Sequence, residues 1–100
     1  MENISENGVL KENHRFILFV SGMSPKSSYA VENIRRICDQ HLPEAYDLQI
    51  IDINRERHLA VEYQIVAIPT LMKMFPAPKR TILGDLSDTT RVLQILDLTE

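Results

Sequence analysis

The sequence predicts an α/β domain: one mixed β-sheet with helices on both faces, in the order βαβαββα. Three observations lead there. Residues 16–20, Phe-Ile-Leu-Phe-Val, form an unbroken apolar run of strand length, the pattern of a central strand covered on both faces. A helical pattern separates this run from a second β-type run. Strand–helix–strand order calls for a parallel pair with a right-handed crossover. Two further short β-type runs then flank a Pro-Ala-Pro turn at 76–78, which reads as an antiparallel hairpin.

The elements follow in order. After the first strand, Ser21-Gly22-Met23 is a turn. Ser24 can cap a helix whose first position is Pro25, where the missing N–H costs nothing. Ala30, Ile34, Ile37 and Cys38 recur at three- and four-residue spacing, with Val31 flanking, and define one apolar face of a helix ending near His41, before Leu42-Pro43. A second strand covers 46–53, rich in branched side chains at Leu48, Ile50, Ile51 and Ile53, and Asp52 and Asn54 close it. A short helix over 55–64 turns Leu59, Tyr63 and Ala60 inward. Pro69 opens a third strand, Thr70 to Phe75, and Thr81-Ile82-Leu83 returns as the fourth. Gly84-Asp85 breaks the pattern. Ser87 is placed to cap a last helix with Val92, Ile95, Leu96 and Thr99 inward. The order is that of the thioredoxin-like fold.

At 100 residues, with 44% apolar and 25% charged side chains, the chain has the size and composition of one soluble domain, placed at 15–100 behind a flexible polar arm over 1–14. The formal charge of −3 argues against nucleic acid as the main partner. No apolar stretch approaches a membrane span, and the N-terminus lacks the basic-then-apolar order of a signal peptide. A single cysteine cannot form an internal disulfide, which favours a reduced, cytoplasmic setting.

The chemistry that this fold commonly carries needs a thiol at the first helix N-terminus, where the helix dipole stabilises the thiolate. Met23-Ser24-Pro25-Lys26-Ser27-Ser28 stands there instead. Cys38 lies more than about three turns further along, inside the apolar pattern, as an inert buried thiol rather than a reactive one. His14, His41 and His58 sit at separate element ends without metal-ligand spacing. Asp85 and Asp88 suit a turn and a helix start better than a catalytic carboxylate pair. Ser27 and Ser28 lack a base, and the three glycines form no phosphate loop. Hence no catalytic, cofactor or metal residue is expected, and the chain reads as a non-enzyme. Arg35-Arg36, Arg55/Arg57 and Lys79-Arg80 are solvated basic clusters or contacts for an acidic partner surface. Pro69 is either a rigid start to its strand or a slow element gating a rearrangement.

These residues resemble one family. Phe19-Val20-Ser21-Gly22-Met23-Ser24-Pro25-Lys26-Ser27 resembles the KaiB opening, a strand followed by Val-Ala-Gly-x-Thr-Pro-x-Ser. Ile51-Asp52-Ile53 is similar to its Ile-Asp-Val, and Ala67-Ile68-Pro69-Thr70-Leu71 to its Ala-Thr-Pro-Thr-Leu. Pro76-Ala77-Pro78-Lys79-Arg80 running into Ile82-Leu83-Gly84-Asp85-Leu86-Ser87-Asp88 matches its Pro-x-Pro-x-Arg-Arg and Ile-Gly-Asp-Leu-Ser-Asp. The four motifs fall in the family's order over about residues 15–98.

The resemblance implies a non-catalytic clock component that binds the N-terminal ATPase ring of KaiC, helps sequester KaiA and competes with the kinase SasA. It implies two arrangements of the second half, here about 55–98: a ground state, commonly a homo-oligomer (dimer or tetramer), and a thioredoxin-like monomer that KaiC captures. By this carry-over Lys26, Tyr29, Arg36, Asp52, Lys73, Lys79 and Arg80 are partner contacts, and Pro69, Gly84, Asp85, Ile95 and Asp97 bear on the switch. The sequence departs from the family pattern at Tyr29-Ala30 (Arg-Ala in the family), at Ile68 (Thr) and at Ile95-Leu96-Asp97 (Gly-Leu-Asp), and it lacks the acidic tail. The isoleucine is the better helix former, which tips the balance toward the thioredoxin-like form. These departures imply a divergent KaiB, with KaiA's involvement open and a stress-adaptation role as well as a clock role in view. A docking domain like the SasA N-terminal domain is the alternative; a thiol oxidoreductase and a purely self-assembling protein are further readings.

Overall fold

The computed structural model describes residues 13–98. The arm expected over 1–14 therefore falls, through residue 12, outside the described residues, as does Thr99. The elements are β1 (His14–Val20), α1 (Pro25–His41), β2 (Tyr46–Asp52), α2 (Arg57–Glu62), β3 (Thr70–Phe75), β4 (Arg80–Leu83) and α3 (Thr89–Ile95). The expected βαβαββα order is present. His14 opens β1 and pairs with Tyr46, so the boundary expected at residue 15 falls inside the strand.

One sheet has the order β2-β1-β3-β4. β1 pairs with β2 in parallel and with β3 antiparallel, and β3–β4 is the expected hairpin. The apolar run of β1 is central because both its faces are needed. Alternation sends Phe16, Leu18 and Val20 to one face and Ile17 and Phe19 to the other.

On the first face α1 lays down Ala30, Ile34, Ile37 and Cys38, all 0% exposed, and α3 adds Val92, with Leu96 at its C-terminal cap. Full burial of a side chain such as Ile34 contributes roughly 1.5–3 kcal/mol. The opposite face is thinner. α2 buries no residue of its own, and Phe19 and Ile51 pack there with Leu59, Tyr63 and Ile65. The rings of Phe19 and Tyr63 lie 5.4 Å apart.

Ser24 caps α1 as expected, accepting the Ser27 N–H, with Pro25 in the first turn. The last helix corrects its expected cap. Asp88, not Ser87, accepts the Arg91 N–H, while Ser87 is bound one step earlier, its N–H donating to Asp85 Oδ1 at 3.0 Å. Asp85 Oδ1 thus closes a tight turn that places Asp88, one residue further on, at the helix start. The peptide bonds preceding Pro69, Pro76 and Pro78 are all cis.

Candidate functional site

The parallel strands end where α1 begins, and there the backbone is held by a side-chain network. Gly22, at φ +52°, reverses the chain after β1 in a conformation that glycine adopts without a Cβ penalty. Its N–H donates to Asp52 Oδ1 at 3.1 Å, and the same oxygen accepts the Asn54 N–H at 2.9 Å. Asn54 Nδ2 reaches back to Ser21 Oγ at 3.2 Å. Ser27, 1% exposed, accepts the Ser21 N–H at 3.1 Å. The loops after β1 and β2 are thereby fastened to each other and to the first turn of α1.

No thiol stands at this helix start. Cys38 is fully buried on the inner face of α1, and burial, with the Asp39 carboxylate beside it, pushes its thiol up to about 12. A thiol held protonated is a poor nucleophile. Among the described residues no group of His, Cys, Asp or Glu is arranged to hold a metal ion. No described helix is long and apolar enough to cross a membrane.

What this end of the molecule presents is surface. Met23 stands 90% exposed at the tip of the turn. It lines a groove of about 290 Å³ with Val20, Val31 and Ile50. Met23 was expected only as part of the turn and Ile50 only as part of the second strand, neither as a surface contact. The available signal was an apolar residue placed in an otherwise small and polar Ser-Gly-Met-Ser turn.

Of the residues expected to meet a partner, Lys26, Tyr29 and Arg36 share one stripe of α1, since spacings of three and seven residues return to the same helix face. Asn33 belongs to the same stripe and fastens it to the β4–α3 loop, donating to the Asp85 carbonyl at 2.8 Å. Arg36 donates to Asn33 Oδ1 at 3.2 Å and Thr89 Oγ1 at 3.5 Å. Hydrogen bonds from Ser87, with the Lys26 charge adding to them, hold the Asp85 carboxyl below its ordinary value. Asp52 works inside the loop network. Lys79 and Arg80 are exposed on the β3–β4 hairpin, at the opposite end of the sheet from the α1 start.

Lys73 requires a correction. It was expected as a surface contact, but it is 2% exposed, its ammonium 4.0 Å from the Asp97 carboxylate. Its position on β3 alternates with Met72 and Met74 and so turns it toward the α3 side of the sheet, away from any partner in this arrangement. Among the residues expected to bear on a switch, Pro69 and Gly84 are joined across the β3–β4 ladder, the Gly84 N–H donating to the Pro69 carbonyl at 2.9 Å. Gly84 has φ +106° and Asp97 φ +57°. Ile95 packs half-buried against the α1-side core.

Fold and site together define a thioredoxin-like domain whose thiol position is given over to a hydrogen-bonded loop and an exposed methionine. Its fold neighbours include chloroplastic thioredoxin z (TM-score 0.72, 11% identity, 88% of this chain and 80% of that one) and the N-terminal domain of SasA from Synechococcus elongatus (TM-score 0.71, 25% identity, 98% and 95%). The KaiB domain family matches residues 17–98, and the chain belongs to the KaiB family. It is 42% identical to the circadian clock oscillator protein KaiB of Trichodesmium erythraeum over 89% of this chain and 86% of that protein. It is 41% identical to the circadian clock protein KaiB3 of a Synechocystis strain, over 81% and 79%.

Proposed function

We propose that this chain is a regulatory, non-catalytic KaiB-type protein that binds the N-terminal ATPase ring of a KaiC-type ATPase in the cytoplasm and modulates clock-like or stress-adaptation signalling. The observation that carries the reading is family membership across residues 17–98 on a fold whose redox position holds Met23-Ser24-Pro25. The single domain of this reading, expected over 15–100, opens with β1 at His14. The α1 stripe of Lys26, Tyr29 and Arg36, with the exposed Lys79 and Arg80, supplies the contacts; Asp52 acts by holding the adjoining loop. In this reading the half of the chain after residue 55 has a second, homo-oligomeric arrangement, with Pro69, Gly84, Asp85, Ile95 and Asp97 among the residues that differ between the two.

The test is complex formation with the KaiC-type ATPase of the same organism, followed over hours by size-exclusion chromatography with light scattering. A stable complex that the double charge reversal Lys26→Glu, Arg36→Glu weakens at least about tenfold is the expected result. No complex with a folded, nucleotide-loaded ring overturns the reading.

A second reading is favoured by the likeness to the SasA N-terminal domain, which extends over nearly the whole chain. In it the chain docks a histidine-kinase signalling component to its target. Retention of the chain by such a kinase, and not by the ATPase ring, selects that reading.

A further inference from the structure

Among the described residues Met23 is the large apolar side chain most open to solvent, at 90%, and it carries a sulfur. The turn itself does not need it. Gly22 supplies the chain reversal at φ +52°, and Ser24 supplies the helix cap. The other described sulfurs are covered. Met72 and Met74 are half-buried against Ile17, Phe19 and Ile51, and Cys38 is buried. Access therefore singles out one sulfur for reaction with a dissolved oxidant.

A thioether has no proton to lose, so its lone pair reacts without a helper base. The sulfur attacks one oxygen of hydrogen peroxide. An S–O bond forms, the O–O bond breaks, and the proton of the attacked oxygen passes to the departing hydroxide, which leaves as water. Sulfur is oxidised by two electrons and the peroxide is reduced by two. The surroundings favour a neutral oxidant over an anionic one, because the chain carries a formal charge of −3 and Glu32 lines the groove with Met23. The return step is the reverse exchange. A reductase dithiol takes up the sulfoxide oxygen, becomes a disulfide and releases water.

The position gives the reaction a consequence. Met23 forms the lip of the groove lined by Val20, Val31 and Ile50, and it stands three residues before Lys26. A sulfoxide replaces that apolar lip with a polar S=O group, while the buried residues of α1 and the Asp52 loop network keep their contacts.

We infer that Met23 is a reversible oxidation site: hydrogen peroxide converts it to the sulfoxide, a methionine sulfoxide reductase restores it, and the exchange switches the groove at the α1 start between an apolar and a polar state with the fold intact. The inference does not depend on the ATPase reading.

The full chain alone tests it. The native protein is treated with hydrogen peroxide, digested and mapped by mass spectrometry. Met23 oxidises at least about tenfold faster than Met72 and Met74, and the three rates converge in denaturant. The Met23 rate is flat between about pH 6 and 8, since a thioether does not titrate. Hydrophobic-interaction chromatography of the native chain then follows the groove. The oxidised chain elutes earlier, and reductases for the two sulfoxide epimers return it to its first position without unfolding. Met23→Leu keeps an apolar side chain and loses most of the peroxide-induced shift; it also serves as the blank for Met1, which lies outside the described residues. The urea midpoint of the chain oxidised at Met23 equals that of the untreated chain. Oxidation of Met23 no faster than Met72 or Met74 overturns the inference, and so does a full elution shift in Met23→Leu. Repair that requires unfolding, or a lowered urea midpoint after oxidation at Met23, marks damage instead of a switch and overturns it as well.

Discussion

The Gly22 N–H and the Asp52 carboxylate, 30 residues apart, meet at 3.1 Å and join the ends of two parallel strands. The same Asp52 oxygen takes the Asn54 N–H, so one carboxylate sets the course of both loops. These loops carry Met23 and lead into the stripe of Lys26, Tyr29 and Arg36. Rigidity at this point is what lets an α1 surface be presented in one orientation.

Asp52→Ala should therefore cost about 1–3 kcal/mol in urea unfolding, because two backbone donors lose their acceptor. Asp52→Asn keeps an oxygen and should recover at least half of that loss. Equal losses for the two substitutions would mean that charge, and not acceptance of the two N–H groups, is what matters.

Cys38 gives a pH dependence with a definite sign. Its thiol ionises near 9.0 when solvated and near 12 in the fold. The folded chain thus retains a proton that the unfolded chain releases. The associated stability is complete below pH 9 and declines as pH climbs toward about 12, by at most about 1.4 kcal/mol per pH unit. Cys38→Ala should flatten this decline while lowering stability at neutral pH through the cavity it leaves. A native-state reaction with a thiol reagent at pH 8 should run on the order of a thousandfold slower than in denaturant.

The Lys73–Asp97 pair is asymmetric, 2% against 62% exposed. Removing the exposed partner leaves a buried ammonium. Asp97→Asn should destabilise by about 0.5–1 kcal/mol, the discount reflecting solvent around the carboxylate. Lys73→Met, which removes the buried charge itself, should be neutral or stabilising. Thermal unfolding of both variants decides this; a larger loss for Lys73→Met would show that the lysine is held by more than Asp97.

Asp88 and Ser87 make a matched comparison at the start of α3. Asp88→Ala removes the side chain that accepts the Arg91 N–H and should cost about 1 kcal/mol, whereas Ser87→Ala should cost only a few tenths. The reverse order would place the cap at Ser87.

Much of the fold was legible because it is local. The strand runs, the α1 face through Ala30, Ile34 and Ile37, and the Ser24-Pro25 start are patterns of neighbours, and α1 and β3 have the bounds that those patterns imply. The helix cap was misplaced by one residue because Ser87 and Asp88 both have capping side chains. The choice between them depends on Asp85 taking the Ser87 N–H first.

The candidate site was less legible. The sequence placed Lys26, Tyr29 and Arg36 on one stripe, because helical spacing is a property of the chain itself. Lys73 was misjudged because an alternating strand pattern does not say which face is covered, and by how much. The docking of α3 decided that, bringing Asp97 over a lysine that propensity alone leaves at the surface. Asp52 was expected to face a partner, and the parallel register of β1 and β2 turned it toward Gly22 instead. By itself, then, the sequence determined the order of elements, the absence of a thiol at the α1 start and the family. The tertiary structure alone decided which polar side chains are spent on the fold and which are left to meet a partner. The reason is physical: periodicity is set by bonds between near neighbours, whereas burial and hydrogen-bond partnership depend on which distant segments pack together.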